Sequence, residues 1–127
     1  MRPLIRTLQS LAVAALVAAA GACLSPTLPL PPPEEPSLVG ESAAGIWQVA
    51  GSCLEGAQVL VLNESTGRGA VYVDRASAGH YTVEIEGTAC DVVVVSQTLG
   101  DESSGGTRFV LQKTQDGLPV DPTACTP

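Results

Sequence analysis

From residue 46 to residue 112 the chain consists of short apolar runs separated by clusters of Gly, Asn, Asp and Ser. No stretch carries the i, i+3, i+4 spacing of an amphipathic helix. The clearest segment is His80-Tyr81-Thr82-Val83-Glu84-Ile85-Glu86, in which Tyr81, Val83 and Ile85 alternate with polar residues. Side chains alternate between faces along a strand, so this segment predicts one packed face and one wet face. Five further strands are predicted at residues 46–50, 58–63, 69–75, 92–97 and 108–112. Residues 59–62 and 92–95 are apolar without interruption. Such runs predict central strands whose second face is partly covered or meets a partner. Turn-forming clusters at 63–67, 76–79 and 100–106 separate several of the strands. Strand starts recur at intervals of about 10–12 residues, the spacing of an all-β sandwich. The expected fold is all-β, a single antiparallel β-sandwich over residues 41–113 with a tail at 114–127.

The N-terminal part has a different texture. Arg2 and Arg6 precede a mostly apolar stretch, residues 8–20, which ends in Ala20-Gly21-Ala22. A positive start, an apolar centre and a small-residue cleavage site make a secretory signal of residues 1–22. As a helix, the unbroken apolar run 11–22 would be about 18 Å long, too short for a hydrocarbon core of about 30 Å. Residues 26–36 then hold six prolines together with Glu34 and Glu35. Proline fixes φ and lacks an amide donor, so this stretch favours extended polyproline II. At about 3.1 Å per residue, residues 25–37 would span roughly 40 Å. Residues 23–40 are therefore expected to be a disordered Pro-rich tether that holds the sandwich away from whatever its N-terminus is attached to.

Charge narrows the function. Thirteen acidic residues against six Lys and Arg give a formal net charge of −7, so the basic footprint that nucleic acid requires is missing. Removing Arg2 and Arg6 with the signal makes the mature chain more acidic still. Aromatic residues are only 3% of the chain, too few for a base-stacking surface or a sugar-binding platform.

Ala20-Gly21-Ala22-Cys23 resembles the lipobox of bacterial lipoproteins, with Ala20 where Leu is usual. The resemblance implies that the Cys23 thiol receives a diacylglyceryl group and that Cys23 becomes the acylated, palmitate-bearing N-terminus. It implies a membrane partner held through the lipid anchor at Cys23. Leu24 rather than Asp follows the cysteine, which implies sorting to the outer membrane. The alternative is ordinary cleavage at the same site, giving a secreted or periplasmic module without lipid.

A second resemblance covers residues 45–111. Gly56-Ala57-Gln58-Val59-Leu60-Val61-Leu62-Asn63-Glu64-Ser65-Thr66-Gly67-Arg68-Gly69 resembles the opening of bacterial immunoglobulin-like and carboxypeptidase-regulatory-like domains. Ala78-Gly79-His80-Tyr81-Thr82-Val83 is similar to one of their inner strands. Asp91-Val92-Val93-Val94-Val95 with Gly100-Asp101-Glu102-Ser103 is similar to their ending, except that Cys90 stands where Gly is usual. The resemblance implies an immunoglobulin-like (transthyretin-like) sandwich without catalytic activity. It implies a structural or interaction role in the cell envelope. An envelope protein is one partner this admits, a glycan bound through the 100–106 loop is the alternative, and no cofactor is expected.

The cysteines are Cys23, Cys53, Cys90 and Cys125. Export permits disulfides. If Cys23 is acylated, one bridge and one leftover thiol remain; if it is not, two bridges can form. Cys53 precedes the 58–63 strand and Cys90 precedes the 92–97 strand, so their ends can share a pole, and Cys53–Cys90 is the expected bridge. Cys125 is left to pair with either of them or to stay free. The close Cys pairs of a metal site are absent, and no metal is expected.

Other chemistry is sparse. His80 is the only histidine, and on its strand it faces outward beside Glu84 as a solvated pair. Asn63-Glu64-Ser65 matches a glycosylation sequon but reads as a turn. Asp101 and Glu102 in the 100–106 loop raise calcium or glycan binding, yet two carboxylates fall short of the six to eight oxygens that Ca²⁺ takes. No G-x-S-x-G, P-loop or dinucleotide fingerprint occurs. Glu84 and Glu86 share a strand face without an evident cleft, so no enzyme is expected.

Overall fold

The computed structural model describes residues 28–126. The expected signal at 1–22 and the lipidation candidate Cys23 lie outside the described residues. Among those described, ten strands form two antiparallel sheets and no residue is helical. In chain order the strands are β1 (Leu38–Ala43), β2 (Ile46–Ser52), β3 (Gln58–Asn63), β4 (Arg68–Val73), β5 (His80–Glu86), β6 (Val92–Leu99), β7 (Glu102–Ser103), β8 (Thr107–Val110), β9 (Thr114–Gln115) and β10 (Leu118–Pro119). The first sheet is ordered β10-β9-β1-β2-β5 and the second β4-β3-β6-β7, with β8 paired to the first half of β6.

Inward-facing residues alternate with outward-facing ones on the main strands, as a pleated sheet demands. Trp47 and Val49 of β2 and Tyr81, Val83 and Ile85 of β5 meet Val59 and Val61 of β3 and Val93 and Val95 of β6 in one buried cluster, joined by Val39 and Leu111. The His80–Glu86 alternation predicted from the pattern is the alternation observed. The uninterrupted runs lie on the two central strands of the second sheet, β3 and β6. Their second face is only partly covered, since Leu60 and Val92 are exposed. The β3–β4 connection closes with Gly67 N–H donating to Asn63 O at 2.8 Å. Gly67 sits there at φ 75, a left-handed conformation that glycine adopts without steric cost.

Three expectations change. The first concerns the tether. Residues 28–36 form no strand, but Leu30, Pro33 and Pro36 are buried while the residues between them are exposed, and Val39 continues the series. A burial period of three is one face of a polyproline II helix, which has three residues per turn. Gln97 Nε2 donates to Pro31 O at 2.9 Å, and Thr107 Oγ1 donates to Pro33 O. From Leu30 onward the segment is therefore docked on the sandwich instead of being a disordered tether. Proline cannot join a ladder as a donor, but its carbonyl can accept from side chains, and its fixed φ lowers the entropy lost on docking.

The second change concerns the ends of the domain. β1 begins at Leu38, within the predicted linker, and β9 and β10 lie within the predicted tail. Val39 pairs with Val49 on one side and Thr114 on the other, so the tail's β9 extends the first sheet through β1.

The third is the disulfide. Cys90 is bridged to Cys125, with Cα atoms 5.3 Å apart, and Cys53 has no disulfide partner among the described residues. The expected Cys53–Cys90 bridge fails because β5 separates the two residues. Ser52 pairs with His80 at the start of β5, whereas Cys90 follows Glu86 at its end. At about 3.3 Å per residue, that puts roughly 20 Å between them.

Candidate functional site

The sandwich has two ends with different chemistry. At one, here the Cys53 end, β2 and β6 finish and β3 and β5 begin. Asp74 organises its loops. Its carboxylate accepts from Gly79 N at 2.9 Å, Ala78 N at 2.9 Å and Gly56 N at 3.1 Å. These amide donors, Gly79 and Ala78 foremost, hold the Asp74 carboxyl below the usual carboxylate range. The predicted strand 69–75 accordingly ends at Val73, because Asp74 turns the chain. Asp-Arg-Ala-Ser-Ala-Gly, residues 74–79, carries the signature of a carboxylate that caps its own loop, and that signal was available in the sequence.

Gln97 is the second organiser. Its Oε1 accepts from Leu54 N at 2.8 Å while its Nε2 donates to Pro31 O. One buried amide thus ties the loop after Cys53 to the docked N-terminal segment. No local pattern announces this role, since Gln97 lies on a strand and its partners are more than forty residues away in sequence.

Cys53 is half-buried and packs against the core. Burial first, and then the Asp74 carboxylate, push its thiol pKa up. A raised pKa keeps the sulfur protonated and weakly nucleophilic at neutral pH. Beside it the Tyr81 hydroxyl is buried with no hydrogen-bond partner among the described residues. Burial, and then the nearby Cys53, raise the phenol above its ordinary range. His80 is exposed at the same end, its Nδ1 3.1 Å from Ala78 O, and on the strand face it shares with Glu84 it is a solvated residue as expected.

At the opposite end lie the Cys90–Cys125 bridge and a second buried polar cluster. Asn63, at 0% exposure, donates from Nδ2 to Asp91 Oδ2 at 2.9 Å and to Glu86 O at 3.2 Å, and accepts from Ser65 N at 2.9 Å. The sequon asparagine is therefore consumed by the fold. Asp91 also accepts from Thr88 N at 2.9 Å, and the Asn63 amide and then this N–H hold its carboxyl low. Trp47 Nε1 donates to Gly87 O at 3.1 Å, so the one indole is satisfied where it is buried.

Glu84 and Glu86 do line a concavity of about 420 Å³ with Arg68, Gly69 and Ile85. Glu86 is paired there with Arg68, and both are exposed. Arg108 meets Glu64 through two contacts of 3.2 Å. Asp101 and Glu102 are exposed at the β6–β7 connection. Among the described residues no three of His, Cys, Asp and Glu come together as a ligand set. No protein-family model, curated protein or solved structure matches this chain.

Proposed function

We propose that this chain is a non-catalytic cell-envelope lipoprotein, acylated at Cys23 and sorted to the outer membrane. Its immunoglobulin-like (transthyretin-like) sandwich serves a structural or interaction role. The observation that carries the reading is Ala20-Gly21-Ala22-Cys23, which places a thiol at the end of an export signal and directly before a folded domain. The outer face of the second sheet supports the interaction role. Leu60 pairs with Val71 across β3 and β4, and Val71 is 56% exposed, with Val73 and Val92 also exposed. The exposed aliphatic side chains of Leu60, Val71 and Val73 suit a protein partner in the envelope.

The test is the mass of the mature chain recovered from membranes. The expected mass begins at Cys23 and includes acyl chains, and Cys23→Ser leaves the protein out of the membrane fraction. A Cys23→Ser chain that still partitions with membranes overturns the reading.

One observation favours a second reading, a secreted module without lipid. Cys53 has no partner among the described residues and lies at the end to which the docked segment leads. Cleavage before Cys23 without acylation would leave Cys23 free to bridge Cys53. Alkylation of the intact and the reduced protein, read by mass, counts two bridges in this case and one in the lipoprotein.

A further inference from the structure

The docked segment fixes a direction. Going backwards from Pro36, beside Phe109 and Val110, the chain passes Thr107 at Pro33 and Gln97 at Pro31. Thr107 pairs with Val95, and Gln97 lies two residues further along β6 towards the Cys53 end. The N-terminal direction of the chain thus leaves the sandwich at the Cys53 end, beside Leu54. Cys23 and the buried Leu30 are seven positions apart in the chain. Even fully extended, seven residues reach no more than about 25 Å.

We propose that the Cys53 end is the face of this protein that lies against the lipid surface, with the Cys90–Cys125 end pointing away from it. This rests on acylation of Cys23. An undocked, extended tether of roughly 40 Å would let the domain stand off from the headgroups and leave open which end faces them. Docking from Leu30 onward cuts the free reach to about 25 Å and starts it at the Cys53 end. The loops brought to the membrane are those carrying Leu54, Glu55 and Ser77 and the β6–β7 turn after the exposed Leu99. Leu28, 87% exposed, lies on the path between the anchor and the docked residues and adds an apolar contact at the interface. Glu55, Asp101 and Glu102 are acidic, so the surface they tolerate is zwitterionic rather than anionic.

The test uses the acylated full chain in phosphatidylcholine–phosphatidylethanolamine vesicles containing a headgroup nitroxide lipid. In a Cys53→Ala background, a fluorophore is placed by Glu55→Cys at the near end or by Ala44→Cys in the exposed β1–β2 turn at the far end. The seven residues of β2 put the two labels about 20 Å apart along the sandwich, so quenching at the Glu55 position should be roughly threefold stronger or more. Adding Leu30→Asp, which undocks the segment, should bring the two positions close to equal. Mass and flotation report acylation separately from the quenching. An acylated chain with equal quenching at both positions overturns the orientation and leaves the lipoprotein reading standing. A chain without acyl groups overturns both.

Discussion

Deleting residues 28–36 should destabilise the domain, although by composition those residues are a linker. Leu30 is 9% exposed, and burying a leucine side chain contributes about 1.5–3 kcal/mol. Pro33 and Pro36 bury their rings as well, at about 0.8 kcal/mol for each methylene removed from water. The hydrogen bonds from Gln97 and Thr107 add about 0.5–1.5 kcal/mol each. Ordering the backbone, at about 1–2 kcal/mol per residue, offsets most of this, but at the prolines φ is already fixed in the unfolded chain. The net contribution is about 2 kcal/mol. A chain beginning at Ser37 should therefore unfold about 10 °C lower than one beginning at Leu28, given about 4–8 °C per kcal/mol for a domain of this size. Urea denaturation followed by Trp47 fluorescence provides the free energies. Within the segment, Pro32→Ala at an exposed position should cost less than 1 kcal/mol, acting through the unfolded state alone, and Pro33→Ala should cost more. If the two chains agree within about 0.5 kcal/mol, the docked segment contributes nothing and the reasoning fails.

Other consequences are testable on the same protein. Tyr81→Phe removes a buried hydroxyl that lacks a partner and should stabilise by about 1–2 kcal/mol in urea; a loss of stability would mean the hydroxyl is satisfied. A Cβ at Gly51 would lie 2.8 Å from that hydroxyl and 3.0 Å from the ring Cζ, so Gly51→Ala should cost about 1–3 kcal/mol, and Tyr81→Phe should relieve only the hydroxyl's share in urea denaturation of the double variant. Asp74 and Asp91, held low in the folded state, supply stability above their unfolded pKa of about 3.9 that is lost as pH falls through their lower folded values. Asp74→Asn should thus be less stable at pH 7, with the gap to wild type narrowing below about pH 4 in acid titrations monitored by fluorescence. Cys90→Ala with Cys125→Ala opens a bridge of sequence separation 35 and should cost up to about 4 kcal/mol by calorimetry.

Much of the sandwich was legible because burial on a two-sided strand has period two. Tyr81, Val83 and Ile85 announce β5, and β3 was predicted with the bounds it has, 58–63. The candidate site was less legible, for physical reasons that differ by residue. Leu38–Ala43 contains Val39 as its only buried residue and otherwise small or polar ones, so its pairing with β2 and β9 is what makes it a strand. Thr114–Gln115 and Leu118–Pro119 are too short for any periodicity to register. The disulfide depended on which end of β5 each cysteine occupies, a question of topology that spacing along the chain does not answer. Gln97 joins residues 54 and 31, and only the folded arrangement brings them together.

Proline accounts for both the linker-like composition of residues 28–36 and their docking. Because proline cannot donate to a ladder, a run of prolines predicts a segment that stands apart from a sheet. Here the missing donor is what lets residues 30–36 lie beside the β6–β8 side of the second sheet, held by two side-chain donors, without offering an amide row of their own. The same fixed φ that makes proline a spacer makes docking cheap in entropy. Both effects disappear together if the prolines are replaced by glycine and serine: the segment would lose its pre-formed conformation and gain amide donors, releasing the Cys53 end from the short reach to Cys23. Composition alone therefore does not separate a tether from a strap. The burial of Leu30, Pro33 and Pro36 at every third position does, because a free chain has no reason to bury one face.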